Sequence, residues 1–399
     1  MKDSFKNISV VSLTNLLNLG LGLILFLAIA SKLPKEEFGI YGLLTLLLVS
    51  ISKLIDFGSN SNYVTEFISK SKHYLDELIS FKIFAFIGSV AISILILVFL
   101  NEITSLEIIV SFILGLFFYG INYTLFALFQ RDEEFIKASL LNFIPGLIKA
   151  VFGALILFEV LTTNLIQAFT IFSISMIGSS FFILFKIQDL KTFKFKPHVF
   201  HFVKNFYLAG ISQTVNESWG TISNQILKIL KSLVDLGTFS LASKLSNVFS
   251  LISYSIYTVI LTSNAKRRRD ETGYNIKESL ILGLFLIFLA TLGSIISPYF
   301  FKLFFGNKFD ESIVIFSILI FSQAFTSIHK FLDNYFFVEE KSKTLLYITS
   351  TKLSVFIILS IVLTNSFGIV GLAFADLIVS ISTTIFTFIY IITTKRYKA

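Results

Sequence analysis

Apolar residues run through this chain in long blocks of eighteen or more, divided by short polar intervals. Twelve blocks stand out. The first six cover residues 8–30, 39–57, 78–100, 107–130, 138–160 and 165–186. The second six cover 205–230, 237–262, 277–301, 311–330, 344–364 and 370–392, of which the first is the least hydrophobic. A helix needs about 20 apolar residues to cross a bilayer. Backbone exposed to lipid must satisfy its own hydrogen bonds, so every block is predicted to be a helix. The first block begins like a secretory signal, with Lys2, Lys6 and an Ala28-x-Ala30 pattern. Its apolar run exceeds the roughly 7–15 residues of a signal core, so it reads as a retained helix.

Charge turns this pattern into a topology. With the first residues in the cytoplasm, the intervals on that side, taken with the block-end residues Lys186, Lys277 and Lys330, hold 22 of the 33 Lys and Arg, the opposite intervals hold 5, and 6 fall inside blocks. That asymmetry is a positive-inside signal and puts both termini in the cytoplasm. The net charge of +8 does not indicate nucleic acid, because the basic residues separate apolar runs. Composition agrees: 55% of residues are hydrophobic and 15% charged, against about 25% charged in soluble domains. A soluble enzyme and a disordered chain are excluded, and with no Cys so is a disulfide-stapled domain. The 48 Phe read as lipid-facing filler and genome bias. The longest intervals, near 58–77, 187–204 and 263–276, are too short for a folded domain of about 50 residues. Function must therefore lie among the helices. Lys266-Arg267-Arg268-Arg269 serves as a topology determinant or a contact for anionic headgroups. His198 and His201 sit in a basic interval with no carboxylate or Cys nearby, and no metal is expected there.

The two halves resemble each other. Phe38-Gly39-Ile40-Tyr41 opens the second block and Leu236-Gly237-Thr238-Phe239 the eighth, 198 positions later. Glu133-Glu134 with Lys137 follows the fourth block, and Glu339-Glu340 with Lys343 the tenth. The expected fold is an all-α integral membrane protein of about twelve transmembrane helices in two pseudo-symmetric six-helix lobes. The lobes are residues 1–190 and 205–399, joined by a basic cytoplasmic linker at 191–204.

Six Lys lie inside blocks: Lys53, Lys82, Lys149, Lys228, Lys244 and Lys352. A lysine at the bilayer centre costs about 2.5–3.5 kcal/mol on insertion scales. Lys53 and Lys82, near cytoplasmic ends, and Lys228, near an outer end, are expected to snorkel to the interface. Lys149 stands eleven residues into the fifth block, four after Pro145-Gly146, too deep for a reach of about 6 Å to clear half a core of about 30 Å. It is expected to face a cavity, with Lys244 and Lys352 intermediate. The seventh block is the most polar: Gln213, Asn216, Glu217 and Trp219 recur at helical spacing. They form either helix–helix hydrogen bonds or a cavity wall for a polar ligand. Asn15, Asn18, Asn122 and Asn142 present the same choice, and Asp376 is placed to balance a Lys. No Walker-type loop, His-Glu-x-x-His or Gly-x-Ser-x-Gly occurs.

Taken in order, several motifs resemble the polysaccharide-exporter branch of the MATE-like (MOP) superfamily. They are Phe38-Gly39-Ile40-Tyr41, Leu236-Gly237-Thr238-Phe239-Ser240-Leu241-Ala242, Leu303-Phe304-Phe305-Gly306-Asn307-Lys308-Phe309 and Gly368-Ile369-Val370-Gly371-Leu372-Ala373. The resemblance covers essentially the whole chain and is nearest to O-antigen and capsule flippases. It implies a non-enzymatic role in a bacterial cytoplasmic membrane: flipping an undecaprenyl-diphosphate-linked oligosaccharide by alternating access. The alternative is a cation-coupled drug or metabolite exporter of the same superfamily. Under the flippase reading Lys149, Lys53, Lys244 and Lys352 attract the diphosphate. Gln213, Asn216 and Trp219 meet the sugar, and Glu217 and Asp376 couple a proton or sodium ion. No cofactor is implied beyond such a gradient or the membrane potential. The expected partners are the lipid-linked oligosaccharide, membrane lipids, and a polysaccharide polymerase and chain-length proteins. Nucleic acid is not among them.

Overall fold

Runs of Leu, Ile, Phe and Val without charges form helices in lipid because no other local structure pairs every N–H and C=O. The structure, a computed structural model, describes residues 2–70, 74–100, 105–204, 206–207, 210–211, 214, 219–247, 249, 276–338 and 341–396. The regular elements among them are all helical. In order they are α1 (Lys2–Lys32), α2 (Lys35–Asp56), α3 (Ser59–Lys70), α4 (Leu75–Phe99), α5 (Leu106–Arg131) and α6 (Phe135–Leu157). Next come α7 (Leu165–Ile174), which tightens into a 3-10 stretch over Ser175–Lys186, α8 (Ile187–Lys191) and α9 (Phe200–Lys204). Then follow α10 (Trp219–Leu230), α11 (233–247), α12 (Ile276–Phe305) and α13 (Asp310–Val338). The last run, Ser342–Arg396, breaks at Gly368, where φ is 66°, into α14 (342–367) and α15 (369–396). Ten of the twelve predicted spans are thus seen as helices. The seventh and eighth lie partly outside the described residues.

Two turns explain glycines in the sequence motifs. Gly368 separates the eleventh and twelfth spans, and Gly306 at φ 58° turns the chain from α12 into α13. Both lie in the left-handed region that costs glycine nothing. A third break was not foreseen. Phe57 and Gly58, at φ 42° and 77°, end α2, and the supposed loop after it contains α3.

The chain forms two compact units, residues 1–221 and 222–399, divided inside α10. In the first, α1 lies along α6, and α5 touches α3, α4, α6 and α7. The α1–α6 crossing is close because Gly153 has no side chain: a Cβ there would stand 2.6 Å from the backbone nitrogen of Leu25. In the second unit α13 is central, packed against α12 and against the α14–α15 run. Nine of the twelve largest fully buried side chains among the described residues are Phe, including Phe38, Phe112 and Phe331. Others, such as Phe99 and Phe158, are exposed on the apolar surface. The excess of Phe therefore builds the interior as well as the lipid-facing surface.

Each unit keeps a proline inside a helix, and in each a side chain takes up the freed carbonyl, from other helical segments in the first and from the same helix in the second. A proline lacks the N–H that would bond the carbonyl four residues earlier. Pro145 of α6 frees the Leu141 carbonyl, which accepts from Asn122 Nδ2 and Ser179 Oγ, each at 3.4 Å. Pro298 of α12 frees the Ser294 carbonyl, which accepts from Ser297 Oγ at 2.8 Å. Asn122 also donates to Ser179 Oγ at 2.9 Å and Asn142 Oδ1 at 3.2 Å. Of the two roles open to Asn122 and Asn142, helix–helix bonding is the one seen.

At the end assigned to the cytoplasm, several of the counted basic residues are neutralised. Arg131 donates to Asp132 and to Asp189 at 3.0 Å, and its guanidinium reaches the Tyr63 hydroxyl at 3.1 Å. Lys186 pairs with Asp132 and with Glu134 at 2.8 Å, and Lys137 with Glu134 at 2.6 Å. The linker is also tied down. The Lys194 N–H donates to Asp76 Oδ1, the Lys196 N–H donates to Ser80 Oγ, and Lys196 Nζ bonds Glu77, all at the start of α4.

Burial alone would raise the Asp132 carboxyl, but hydrogen bonds from Arg131 and Lys186 outweigh it and hold the group below its usual range. Hydrogen bonds from Lys137 and Lys186 do the same for Glu134. A depressed folded pKa gives stability that is present above the unfolded value and lost as pH falls through the folded one. Melting in detergent should therefore stay level from neutral pH down to about pH 4–5 and fall below it. D132N/E134Q should flatten the acid limb; an unchanged limb would place the acid sensitivity elsewhere. Gly153→Val should lower the melting temperature sharply, since overpacking costs about 1–3 kcal/mol.

Candidate functional site

Lys149 lies fourteen residues along α6, about 21 Å from one end and 12 Å from the other at 1.5 Å per residue. Its ammonium sits 4.0 Å from the centroid of the Phe172 ring on α7. Phe172 in turn meets Tyr41 of α2 edge-on at 6.2 Å. A ring face attracts a cation by about 2 kcal/mol or more when water is excluded, without cancelling its charge.

Nearer the cytoplasmic end the first unit gathers a second group. Lys53 of α2 stands 5.6 Å from the Tyr123 ring of α5, and Lys82 of α4 stands 5.8 Å from the same ring. Asp56 Oδ1 is 3.7 Å from Lys82 Nζ. Tyr123 shares a hydrogen bond with Ser52 at 3.1 Å. The expectation that Lys82 snorkels outward is corrected here. Its side chain is 4% exposed and turns inward, because Asp56 at the end of α2 offers a nearer counter-charge than the interface does. Asp56 and Tyr123 escaped the sequence reading. The signal available was Asp56 standing three residues after Lys53 at the end of an apolar block.

The second unit carries a different chemistry. Ser322, Thr326, His329 and Asp333 share one face of α13, and Asp376, Ser380, Thr384 and Thr387 face them from α15. Ser322 donates to Asp376 Oδ2 at 2.9 Å and shares a 3.0 Å bond with Ser380, which also meets Thr326 at 2.9 Å. Thr384 donates to the Phe325 carbonyl at 2.9 Å. Thr387 reaches His329 Nδ1 at 3.3 Å, and Asp333 Oδ1 lies 3.6 Å from that nitrogen. Lys352 lines a groove of about 370 Å³ between α14 and α15, with Asp376 and Asp333 in electrostatic range. Hydropathy had hidden this seam, since Ser and Thr are nearly neutral on such scales; their helical spacing was the readable signal.

Of the other sequence candidates, Lys244 is exposed on α11 and Trp219 is half-buried at the start of α10. Gln213, Asn216 and Glu217 lie outside the described residues, as does the run Lys266–Arg269. Lys53 is brought beside Lys82. Lys149 belongs to a separate cluster of the same unit.

The described residues form an all-helical fold of two units with lysines inside its helices, and eight of those helices are long and apolar enough to cross a membrane. The chain belongs to the polysaccharide biosynthesis protein family, whose signature matches residues 4–262. Solved structures repeat the fold. A lipid II flippase, MurJ, in an inward closed conformation is 16% identical with a TM-score of 0.75, over 96% of this chain and 87% of that one. A multidrug resistance MATE family transporter in its inward-facing conformation is 12% identical with a TM-score of 0.70, over 96% of both chains. The outward-facing conformation of such a transporter is 12% identical with a TM-score of 0.65, over 96% and 94%. No curated protein sequence matches the chain.

The seam makes a prediction of its own. Ser322→Ala removes the donor to the Asp376 carboxylate and should cost about 1–3 kcal/mol, read as a lower melting temperature. Asp376→Asn keeps a bonding amide and should cost less. Equal losses would show that the carboxylate charge does not depend on the hydroxyl.

Proposed function

We propose that this protein is a flippase that carries undecaprenyl-diphosphate-linked oligosaccharide across the bacterial cytoplasmic membrane by alternating access of its two units. The observation that supports the reading is Lys149, a cation well inside its helix and set over an aromatic ring. A diphosphate entering a water-poor cavity gains most from such a charge. The lipid tail needs no site of its own, since it can remain in the bilayer. Membership of the polysaccharide biosynthesis family, and a fold shared with a lipid II flippase, support a lipid-linked substrate. In this reading Lys53, Lys244 and Lys352 are further diphosphate contacts, and Gln213, Asn216 and Trp219 are sugar contacts. Glu217 and Asp376 couple transport to a proton or sodium gradient. A polymerase and chain-length proteins would receive the product.

The fold is equally that of multidrug transporters, which keeps a cation-coupled exporter as the second reading. Lys149→Ala discriminates. It should abolish surface polysaccharide while the protein remains in the membrane at normal level, and Lys149→Arg should retain part of the activity. Full polysaccharide in the alanine variant, with drug susceptibility altered on deletion of the gene, would establish the exporter instead.

A further inference from the structure

The basic linker at 191–204 is chemically one-sided. No Asp or Glu occurs between Asp189 and Glu217, and Lys191, Lys194, Lys196 and Lys204 are interleaved with Phe195, Phe200 and Phe202. The structure gives these residues different surroundings. Phe202 is buried, its ring 5.7 Å from that of Tyr74 and 5.1 Å from that of Phe206. Lys196 is held by Glu77 at 2.8 Å. Phe195 and Phe200, by contrast, are 51% and 81% exposed. Lys191, Lys194 and Lys204 are exposed as well, and no carboxylate pairs with them among the described residues.

The exposed rings stand beside a span. Phe195 lies 5.4 Å from Phe84, which is itself 41% exposed on α4. That helix is long and apolar enough to cross a membrane, so its exposed side meets lipid. Phe84 follows the Leu75 start of α4 by about 14 Å along the axis. A headgroup layer is only about 5–7 Å deep. The two rings therefore stand at the boundary between headgroups and acyl chains. Hydrogen bonds fix the backbone there, from the Lys194 N–H to Asp76 Oδ1 at 2.9 Å and from the Lys196 N–H to Ser80 Oγ at 2.8 Å. The linker lies along the side of α4 instead of looping away from it.

We propose that residues 191–204 are an in-plane membrane anchor. Phe195 and Phe200 enter the acyl boundary of the cytoplasmic leaflet, and Lys191, Lys194 and Lys204 hold the headgroups of its anionic phospholipids. Rings and lysine stems at one level suit this layer: the rings leave water, and each ammonium stays among the phosphates. The occupant is the bilayer, and charge complementarity selects its anionic members. A protein partner would have to strip lipid from α4 to reach the Phe84–Phe195 pair. All of these residues belong to the first unit, so the anchor holds that unit to the leaflet. The proposal is independent of the flippase reading, since an exporter would be anchored in the same way.

Trp219 is the single Trp of the chain, so the full-length variant W219F/F200W carries one fluorescent reporter in the anchor. It is reconstituted in vesicles of phosphatidylcholine and phosphatidylglycerol, with bromine on the acyl chains of one lipid or the other at the same overall composition. Bromine quenches tryptophan on contact, and acrylamide quenches it from water. Bromine quenching should be strong and acrylamide quenching weak. Brominated phosphatidylglycerol should be enriched about fivefold around the reporter at low salt, and high salt should remove the preference. Adding K191Q/K194Q/K204Q should leave the melting temperature unchanged and make the two lipids quench equally. Acrylamide quenching without bromine quenching overturns the anchor. So does equal quenching by the two lipids before the lysines are changed, or a preference that the three Gln leave intact. A second measurement leaves Trp219 in place: phosphatidylglycerol should raise the melting temperature of the native chain above its value in phosphatidylcholine alone, and K191Q/K194Q/K204Q should shrink that gain. An undiminished gain overturns the headgroup contact.

Discussion

Inside hydrocarbon, a bare carbonyl or an ammonium has no water to turn to, so the protein itself must answer it. The rest of this structure follows from how those answers are made. Two prolines free two carbonyls, and side chains within the same unit take both. Gly153 lets α1 press onto α6 without a side chain between them. Large aromatic residues fill the remaining space, which is why Phe is as common in the interior as on the surface.

The two units answer their charges differently, and the difference has chemical consequences. In the first, lysines face rings: Lys149 over Phe172, Lys53 and Lys82 beside Tyr123. A ring holds a cation in place but leaves its charge to act on a ligand. In the second, a carboxylate is held by hydroxyls, with Ser322 and Ser380 around Asp376. Lys149 and Lys352 occupy similar places on the fifth helix of each half, 203 positions apart. One meets an aromatic face and the other lies in range of Asp376 and Asp333.

Much of the fold was legible because hydropathy and loop charge are one-dimensional signals. Lipid enforces them helix by helix, with little help from tertiary context. The spans and the position of Lys149 well inside its helix could both be read this way. What could not be read depends on which side of a helix meets which neighbour. Lys82 stands close enough to an end to snorkel, and only the placement of Asp56 on another helix turns it inward. The compensation of Pro145 by Asn122 spans nineteen residues from donor to acceptor. The α3 helix was missed because its apolar face is too short to register as a span. The Ser and Thr seam was missed because hydroxyls weigh little on a hydropathy scale.

Lysine outnumbers arginine 28 to 5 across the chain, and its prevalence in the spans is compatible with the transport cycle proposed above. Every basic residue inside the predicted spans is Lys. Arginine would grip a phosphate through a planar pair of hydrogen bonds and hold it. Lysine offers a point charge that can turn, and a ring beneath it keeps it ordered without competing for the ligand. A carrier must bind its substrate strongly enough to draw a diphosphate out of headgroup water and weakly enough to release it on the other side. In the proposed flippase, the rings would supply partners to which each ammonium can return when the ligand leaves. In the proposed cycle this would bring the energy of an empty site close to that of a loaded one, the balance a carrier needs in order to turn over.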